Sequence, residues 1–120
     1  MPREFGRAQR LAEQVQRELG TSLLFEIQDP RLSGVTISGV EVTRDLSIAK
    51  VYFALPAGED IAGALSALER AKGFLRTKIA KEIRIRAVPE LRFVYDDALD
   101  ESDRIETLLR ESRERAGPAR

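Results

Sequence analysis

Residues 64–86 read ALSALERAKGFLRTKIAKEIRIR, and this segment decides how the rest of the chain can fold. Apolar side chains recur in it every three or four residues, the spacing at which a helix presents side chains on one face. These residues are Ala64, Leu65, Leu68, Ala71, Leu75, Ile79 and Ile83. The segment is therefore predicted to be helical and to bury this face in a core.

The same segment concentrates positive charge. Residues 69–86 contain seven cationic side chains and two glutamates, a net charge of +5, whereas the whole chain of 120 residues is formally neutral. The cations are Arg70, Lys72, Arg76, Lys78, Lys81, Arg84 and Arg86. Because lysine and arginine bind polyanions with release of counterions, all seven are candidate contacts for phosphate groups. Lys78 is the weakest candidate because it is next to the apolar stripe at Leu75 and Ile79.

Gly73 lies inside the predicted helix, where glycine costs about 1 kcal/mol relative to alanine. With the small Ala71 beside it, Gly73 predicts a kink or a division into two helices at Ala71-Lys72-Gly73 and lets a phosphate approach closely. A second helix starting there would offer unpaired N–H groups to an anion, flanked by Lys72 and Arg76. The alternative is one continuous amphipathic helix with a solvated basic face, and charge and glycine content leave both open.

Composition excludes several classes of chemistry. The chain has no Cys and no His, so disulfides, thiolate nucleophiles, Cys/His zinc sites and imidazole bases are absent. Its length and its content of 42% hydrophobic and 33% charged residues suit one soluble domain. No apolar run is long enough to span a membrane, and MPREFGRAQR at the N-terminus has no secretory h-region. We therefore expect a cytoplasmic protein with no membrane partner.

The N-terminal part has the spacing of a first amphipathic helix over residues 4–19. Gly20 is expected to end this helix, and Thr21-Ser22 to cap a further short helical run. The residue before a proline leaves the helical region, so Asp29-Pro30 should start a loop. Three arginines in this part of the chain are secondary candidates for the basic surface: Arg7, Arg10 and Arg31.

Three segments have strand patterns: residues 35–43, 48–55 and 91–95. The first two should form a hairpin, with a bulge where Ser38-Gly39 shifts the alternation. The predicted order is helix, strand, strand, helix, helix, strand. This is an α+β fold in which three helices cover one face of a three-stranded sheet.

The segment after the last strand is acidic. Residues 96–106 contain six acidic side chains and one arginine, a net charge of −5. A catalytic or metal-binding role for Asp96 and Asp97 is disfavoured, because their spacing fits no calcium-loop pattern and no histidine is present. A last short helix is expected from Ser102, which closes a domain of residues 1–109. Residues 110–120 have no apolar periodicity and should form a disordered tail.

A resemblance to a known family rests on three groups of residues. They are Asp29-Pro30-Arg31-Leu32; residues 42–46 with Ala49 and Val51-Tyr52; and residues 71–76 with Pro89, residues 90–93 and Asp96. In this order and spacing they resemble the bacterial ribosome-binding factor A family over residues 5–109, and the order αββααβ is that of a type II KH domain. A KH module clamps nucleotides with a GxxG loop. The resemblance implies a KH variant in which an Ala-x-Gly kink at Ala71-Lys72-Gly73 takes the place of that loop.

The resemblance also implies a function. It implies binding to the small ribosomal subunit and its ribosomal RNA during late assembly, support of precursor processing, and importance for growth in the cold. We expect a monomer with no catalytic centre, cofactor, metal or small-molecule substrate. Few aromatic side chains are available, so base stacking is expected to contribute little and the shape of a folded RNA to contribute more.

Two rival hypotheses remain at this point. The first is a protein-interaction module that docks through its segregated basic and acidic segments. The second is a small enzyme that uses Asp96 and Asp97. The lack of histidine, of a glycine-rich nucleotide loop and of clustered metal ligands counts against the enzyme.

Overall fold

The structure is a computed structural model and describes residues 3–97, with side chains from residue 6. Its elements are helix α1 (Arg3–Phe25), a 3₁₀ helix (Pro30–Leu32), strands β1 (Thr36–Val42) and β2 (Ile48–Ala54), helix α2 (Ile61–Ile83) and strand β3 (Glu90–Tyr95). Neither helix of this part of the chain is long and apolar enough to cross a membrane. The predicted helix from Ser102, the tail and most of the acidic segment lie outside the described residues.

The three strands form one sheet in the order β1-β2-β3. β1 and β2 pair antiparallel as the predicted hairpin, and their register shifts between Ile37 and Gly39, where a bulge was predicted. β3 pairs parallel with β2, so that Val51 of the central strand lies opposite Phe93. A parallel pair needs a long crossover connection, and α2 supplies it.

Both long helices pack on one face of the sheet and enclose a single aliphatic core. Alternate residues of β2 point into it, and Ala49, Val51 and Phe53 have no solvent exposure. β3 adds Leu91 and Phe93, and α1 adds Val15 and Leu19 among its buried residues. The Phe53 and Tyr95 rings meet edge to face at 5.7 Å between centroids. The α+β class and the three-stranded sheet are thus confirmed.

α2 is one uninterrupted helix, where the sequence predicted two. Leu68, Leu75 and Ile79 lie on both sides of Gly73 and are at most 1% exposed. Burying each such side chain stabilises the fold by about 1.5–3 kcal/mol, which exceeds the cost of roughly 1 kcal/mol for one helical glycine. The division at Ala71-Lys72-Gly73 is therefore wrong, and the kink is not confirmed. No second helix begins there, so the predicted N-terminal anion site is wrong as well.

α1 is also longer than predicted. Gly20 does not end it, because Leu19 and Ser22 are both buried and carry the helix on to Phe25. Thr21 and Ser22 lie inside this helix and start no second one. Two long helices, not three, therefore cover the sheet in the part of the chain between residues 3 and 97.

Side chains and backbone conformation mark the ends of α2 and of the 3₁₀ helix. Asp60 caps α2, where its Oδ1 accepts a hydrogen bond from the Gly63 N–H at 3.0 Å. Arg84 adopts a left-handed conformation with φ +57° at the C-terminal end of α2. Asp29 caps the 3₁₀ helix by accepting from the Arg31 N–H at 3.0 Å, so the predicted interruption at Asp29-Pro30 is confirmed.

An ion pair joins the residue that follows α1 to the C-terminal third of α2. The Lys78 Nζ lies 2.7 Å from Glu26 Oε2, and Ser22 Oγ donates to the other carboxylate oxygen at 3.1 Å. The hydrogen bond from Lys78 lowers the pKa of Glu26, and the reciprocal bond raises the pKa of Lys78. The carboxylates of Glu82 and Glu18 raise the Lys78 pKa further. This pair connects the two helices at the edge of their packed interface.

We predict that Gly73→Ala raises the free energy of unfolding by about 0.5–1 kcal/mol, the usual gain when a helical glycine becomes alanine. A Cβ added at Gly73 meets no atom within 4 Å, so nothing opposes this gain. Urea denaturation measures the effect. Gly63→Ala is the contrasting variant and should lower stability, because its Cβ would collide with the Asp60 carboxylate that caps the helix. A Gly73→Ala protein less stable than the wild type would show that the glycine sustains a bend.

The Glu26–Lys78 pair predicts a pH dependence. Because the pKa of Glu26 is lower in the folded state, its contribution is present above the ordinary glutamate pKa and is lost as the pH falls through the lowered value. Glu26→Gln should therefore reduce the urea midpoint at neutral pH, and the difference from wild type should vanish in acid. Glu59→Gln, at an exposed carboxylate outside this contact, is the control. A difference that persists unchanged in acid would contradict the assignment.

Candidate nucleic-acid interface

The periodicity of α2 divides its basic residues between two sides of the helix. Lys72 and Arg76 lie one turn apart, and their contacts show that they face β3 and the segment before it. The Lys72 Nζ is 5.8 Å from the centroid of the Phe93 ring, and Arg76 Nη2 donates to the Val88 carbonyl at 3.3 Å. We call these two residues the β3 flank.

The opposite side of α2 faces α1. Its residues recur at three- and four-residue intervals, and we call them the α1 flank: Arg70, Phe74, Lys78 and Lys81. The contact between Lys78 and Glu26 fixes the orientation of this side. The predicted cations of α2 therefore do not all lie on one side of the helix.

The two flanks differ in how many of their cationic side chains form ion pairs or hydrogen bonds within the protein. On the β3 flank, Lys72 pairs with Glu69 at 2.7 Å and is 31% exposed. On the α1 flank, Lys78 pairs with Glu26 at 2.7 Å and its side chain is 25% exposed. Arg70 and Lys81 are exposed, and neither lies within 4 Å of a carboxylate among residues 3–97. These two are the cations of α2 most available to an external anion.

The last two cations of the predicted helix lie beyond it. α2 ends at Ile83, so Arg84 and Arg86 belong to the connection to β3 and are exposed there. The prediction that they continue the helix is wrong, because Arg84 turns the backbone into the left-handed region. Gly73 is exposed on α2 beside Phe74. The part that each of these residues plays in RNA binding stays a prediction.

The secondary candidates are separated from α2 in sequence and differ in their contacts. Arg7 and Arg10 are exposed on α1. Arg31 binds its neighbour Asp29 through Nε at 3.2 Å and Nη2 at 3.0 Å. These bonds lower the pKa of Asp29 and raise that of Arg31, and the charge of Arg70 lowers the Asp29 pKa slightly further. The guanidinium of Arg31 is therefore partly neutralised.

The structure also exposes two large aromatic side chains that are absent from the residues predicted for the site. Phe74 is 45% exposed on the α1 flank, and Phe25 is 77% exposed at the end of α1. A signal for Phe74 was present, since it lies outside the apolar stripe that contains Leu75. Phe25 gave no such signal, because α1 was expected to end at Gly20.

Metal chemistry finds no support in the described part of the chain. Residues 3–97 contain no group of three or more acidic side chains placed to hold a metal ion. What this surface offers is exposed guanidinium and ammonium groups beside an aromatic ring, an arrangement suited to binding phosphate and bases.

Comparison with known proteins gives consistent results. The family model described as ribosome-binding factor A matches residues 7–109. Ribosome-binding factor A of Nitrosomonas eutropha is 44% identical over 113 residues, which cover 93% of this chain and 97% of the relative. The crystal structure of ribosome-binding factor A from Thermus thermophilus superposes with a TM-score of 0.67 at 32% identity, covering 73% of this chain and 94% of that one.

A second structural relative was observed in a larger assembly. It is the Thermus thermophilus ribosome-binding factor A, fitted as a homology model into the cryo-EM map of its complex with the 30S subunit. Its TM-score is 0.61 at 34% identity, with 72% of this chain and 91% of that chain covered. The resemblance found in the sequence is thereby confirmed, and the chain belongs to the ribosome-binding factor A family.

Proposed function

We propose that this chain binds the small ribosomal subunit through its ribosomal RNA, late in maturation, and supports processing of the precursor RNA. The observation that carries the proposal is the family membership together with the relative fitted into a 30S complex. The fold of this chain, two long helices on a three-stranded sheet among the described residues, superposes on the crystal structure of such a relative with a TM-score of 0.67.

The charge distribution supports contact with RNA. The chain is formally neutral, so attraction to a polyanion must come from a local surface. α2 provides one, since Arg70 and Lys81 are exposed and form no ion pair within 4 Å among the described residues. Each phosphate neutralised by such a group releases counterions and makes binding weaken steeply as salt rises.

The proposal describes a binding protein and not a catalyst. The sequence contains neither histidine nor cysteine, the side chains that most often carry general-base and thiolate chemistry. In this proposal the chain acts as a cytoplasmic monomer without a cofactor or small-molecule substrate, and it supports ribosome assembly most strongly in the cold.

The prediction for this function concerns the two free cations of α2. Arg70→Glu combined with Lys81→Glu should abolish co-sedimentation with small ribosomal subunits at moderate salt. If both side chains contact phosphate, removing them should also reduce the slope of log affinity against log salt by about 2. Sedimentation of purified protein with precursor and mature subunits across a salt series measures both effects.

The matched control is Arg17→Glu combined with Arg44→Glu. These arginines are exposed on α1 and in the turn after β1, and the double variant changes the net charge by the same amount. It should retain most of the binding. If the α2 variant is folded and co-sediments like the wild type, the RNA contact of α2 is refuted and docking on a ribosomal protein takes its place. Equal loss in both variants would indicate attraction by overall charge alone.

A further inference from the structure

The exposure of Phe74 on α2 is not explained by a role of this helix in attracting phosphate through charge alone. The residue after it, Leu75, is 1% exposed, whereas 45% of Phe74 remains in contact with solvent. A large exposed apolar side chain gives up the free energy that burial would supply. Phe74 lies on the helix that carries the free cations, where its ring is open to a ligand that those cations also attract.

The ring lies in the middle of a series of cations. Arg70 is four residues before Phe74, and Lys78 and Lys81 follow it by four and seven residues on the same side of α2. With a rise of 1.5 Å per residue, Arg70 and Lys81 are separated by roughly 16 Å along the helix axis. Lys78 is neutralised by Glu26. An aromatic surface is thus bracketed by two charges that remain available.

No side chain projects from the helix at Gly73, the residue next to Phe74. Gly73 has no side chain, and a Cβ added there would meet no atom within 4 Å. The Thr77 hydroxyl donates to the Gly73 carbonyl at 3.0 Å, so its polar group turns back onto the helix backbone. A planar group could therefore reach Phe74 from this side without displacing protein atoms.

A second phenylalanine comes from the facing helix. Phe25 precedes Glu26, the residue that binds Lys78, and follows Glu18 by seven residues on the same face of α1. The charges of both glutamates act on Lys78, so this face of α1 is turned toward α2. Phe25 therefore lies on the side of α1 that is turned toward α2, and it is next in sequence to the residue that pairs with Lys78.

The ligand that matches these features is a polyanion with accessible planar rings. In a duplex the faces of the bases are covered by their neighbours, and only phosphates and groove edges are presented. An unpaired RNA strand presents base faces and phosphates together, and aromatic side chains bind such strands by stacking. The combination of ring and flanking cations thus favours an unpaired strand over a helix.

We propose that Phe74 stacks on a base in an unpaired stretch of RNA, while Arg70 and Lys81 bind phosphates on either side of that base. This inference rests on the proposed function and narrows it, because it identifies single-stranded RNA as what α2 recognises. It also replaces the expectation that base stacking contributes little, since that expectation assumed few exposed aromatic side chains, whereas Phe74 is 45% exposed.

The test compares two RNA probes with variants of the full chain. Fluorescence anisotropy measures binding to a labelled oligouridylate and to a blunt RNA duplex of the same length. Phe74→Leu keeps an apolar side chain and removes the ring, so it should weaken binding to oligouridylate by about fivefold to about a hundredfold. Phe74→Trp keeps a stacking surface and should bind at least as tightly as the wild type. Binding to the duplex should be the same for all of them.

Leu65→Ala is the matched control, since Leu65 is an apolar side chain of α2 that is 36% exposed and lies outside the α1 flank. It should bind both probes like the wild type. The proposal is overturned if Phe74→Leu binds oligouridylate as tightly as wild type, if it loses duplex binding equally, or if the wild type does not prefer the unpaired probe. After any of these three outcomes, co-sedimentation of the wild-type protein with small subunits would still support the proposed function.

Discussion

The burial of one stripe of α2 against the sheet and α1 is the constraint on which the rest of the structure depends. Leu68, Leu75 and Ile79 are almost completely buried in the core. Because the core is closely packed, a helix that places these side chains there cannot rotate about its axis. The directions of the intervening residues follow from this fixed rotation. Lys72 and Arg76 must face β3, while Arg70, Phe74 and Lys81 must face the side of α1. The candidate binding surface is in this sense a consequence of packing.

Much of the fold could be predicted because periodic patterns report burial directly. The hairpin, its bulge near Gly39 and the third strand all follow from alternation of apolar residues. The errors concern Gly20 and Gly73, which were interpreted as helix breakers. Glycine acts locally and costs roughly 1 kcal/mol, whereas the buried residues on both sides of each glycine act through contacts with other elements. The local cost of a glycine can be estimated from the sequence, whereas the stabilisation from the buried neighbours can be estimated only once the fold is known.

The candidate site was predictable in its residue types but not in their availability. Charge density pointed to α2, yet the partner of Lys78 comes from α1 and that of Arg76 is a backbone carbonyl before β3. Such partners are distant in sequence, so their pairing cannot be derived without the fold. Phe74 was missed although it lies outside the apolar stripe, because a break at Gly73 would have changed the direction of its side chain relative to that stripe.

The position of β3 has a consequence for how the chain acquires its structure. β1 and β2 are neighbours in sequence and can pair as soon as both have been synthesised, but β2 must wait for a strand that follows α2 before its other edge is satisfied. Leu91 and Phe93 close the core from this late strand. Contacts of such long sequence separation slow folding. A nascent chain that ends before β3 would therefore have an incompletely covered core and a central strand with one unpaired edge, the conditions that favour aggregation or chaperone capture.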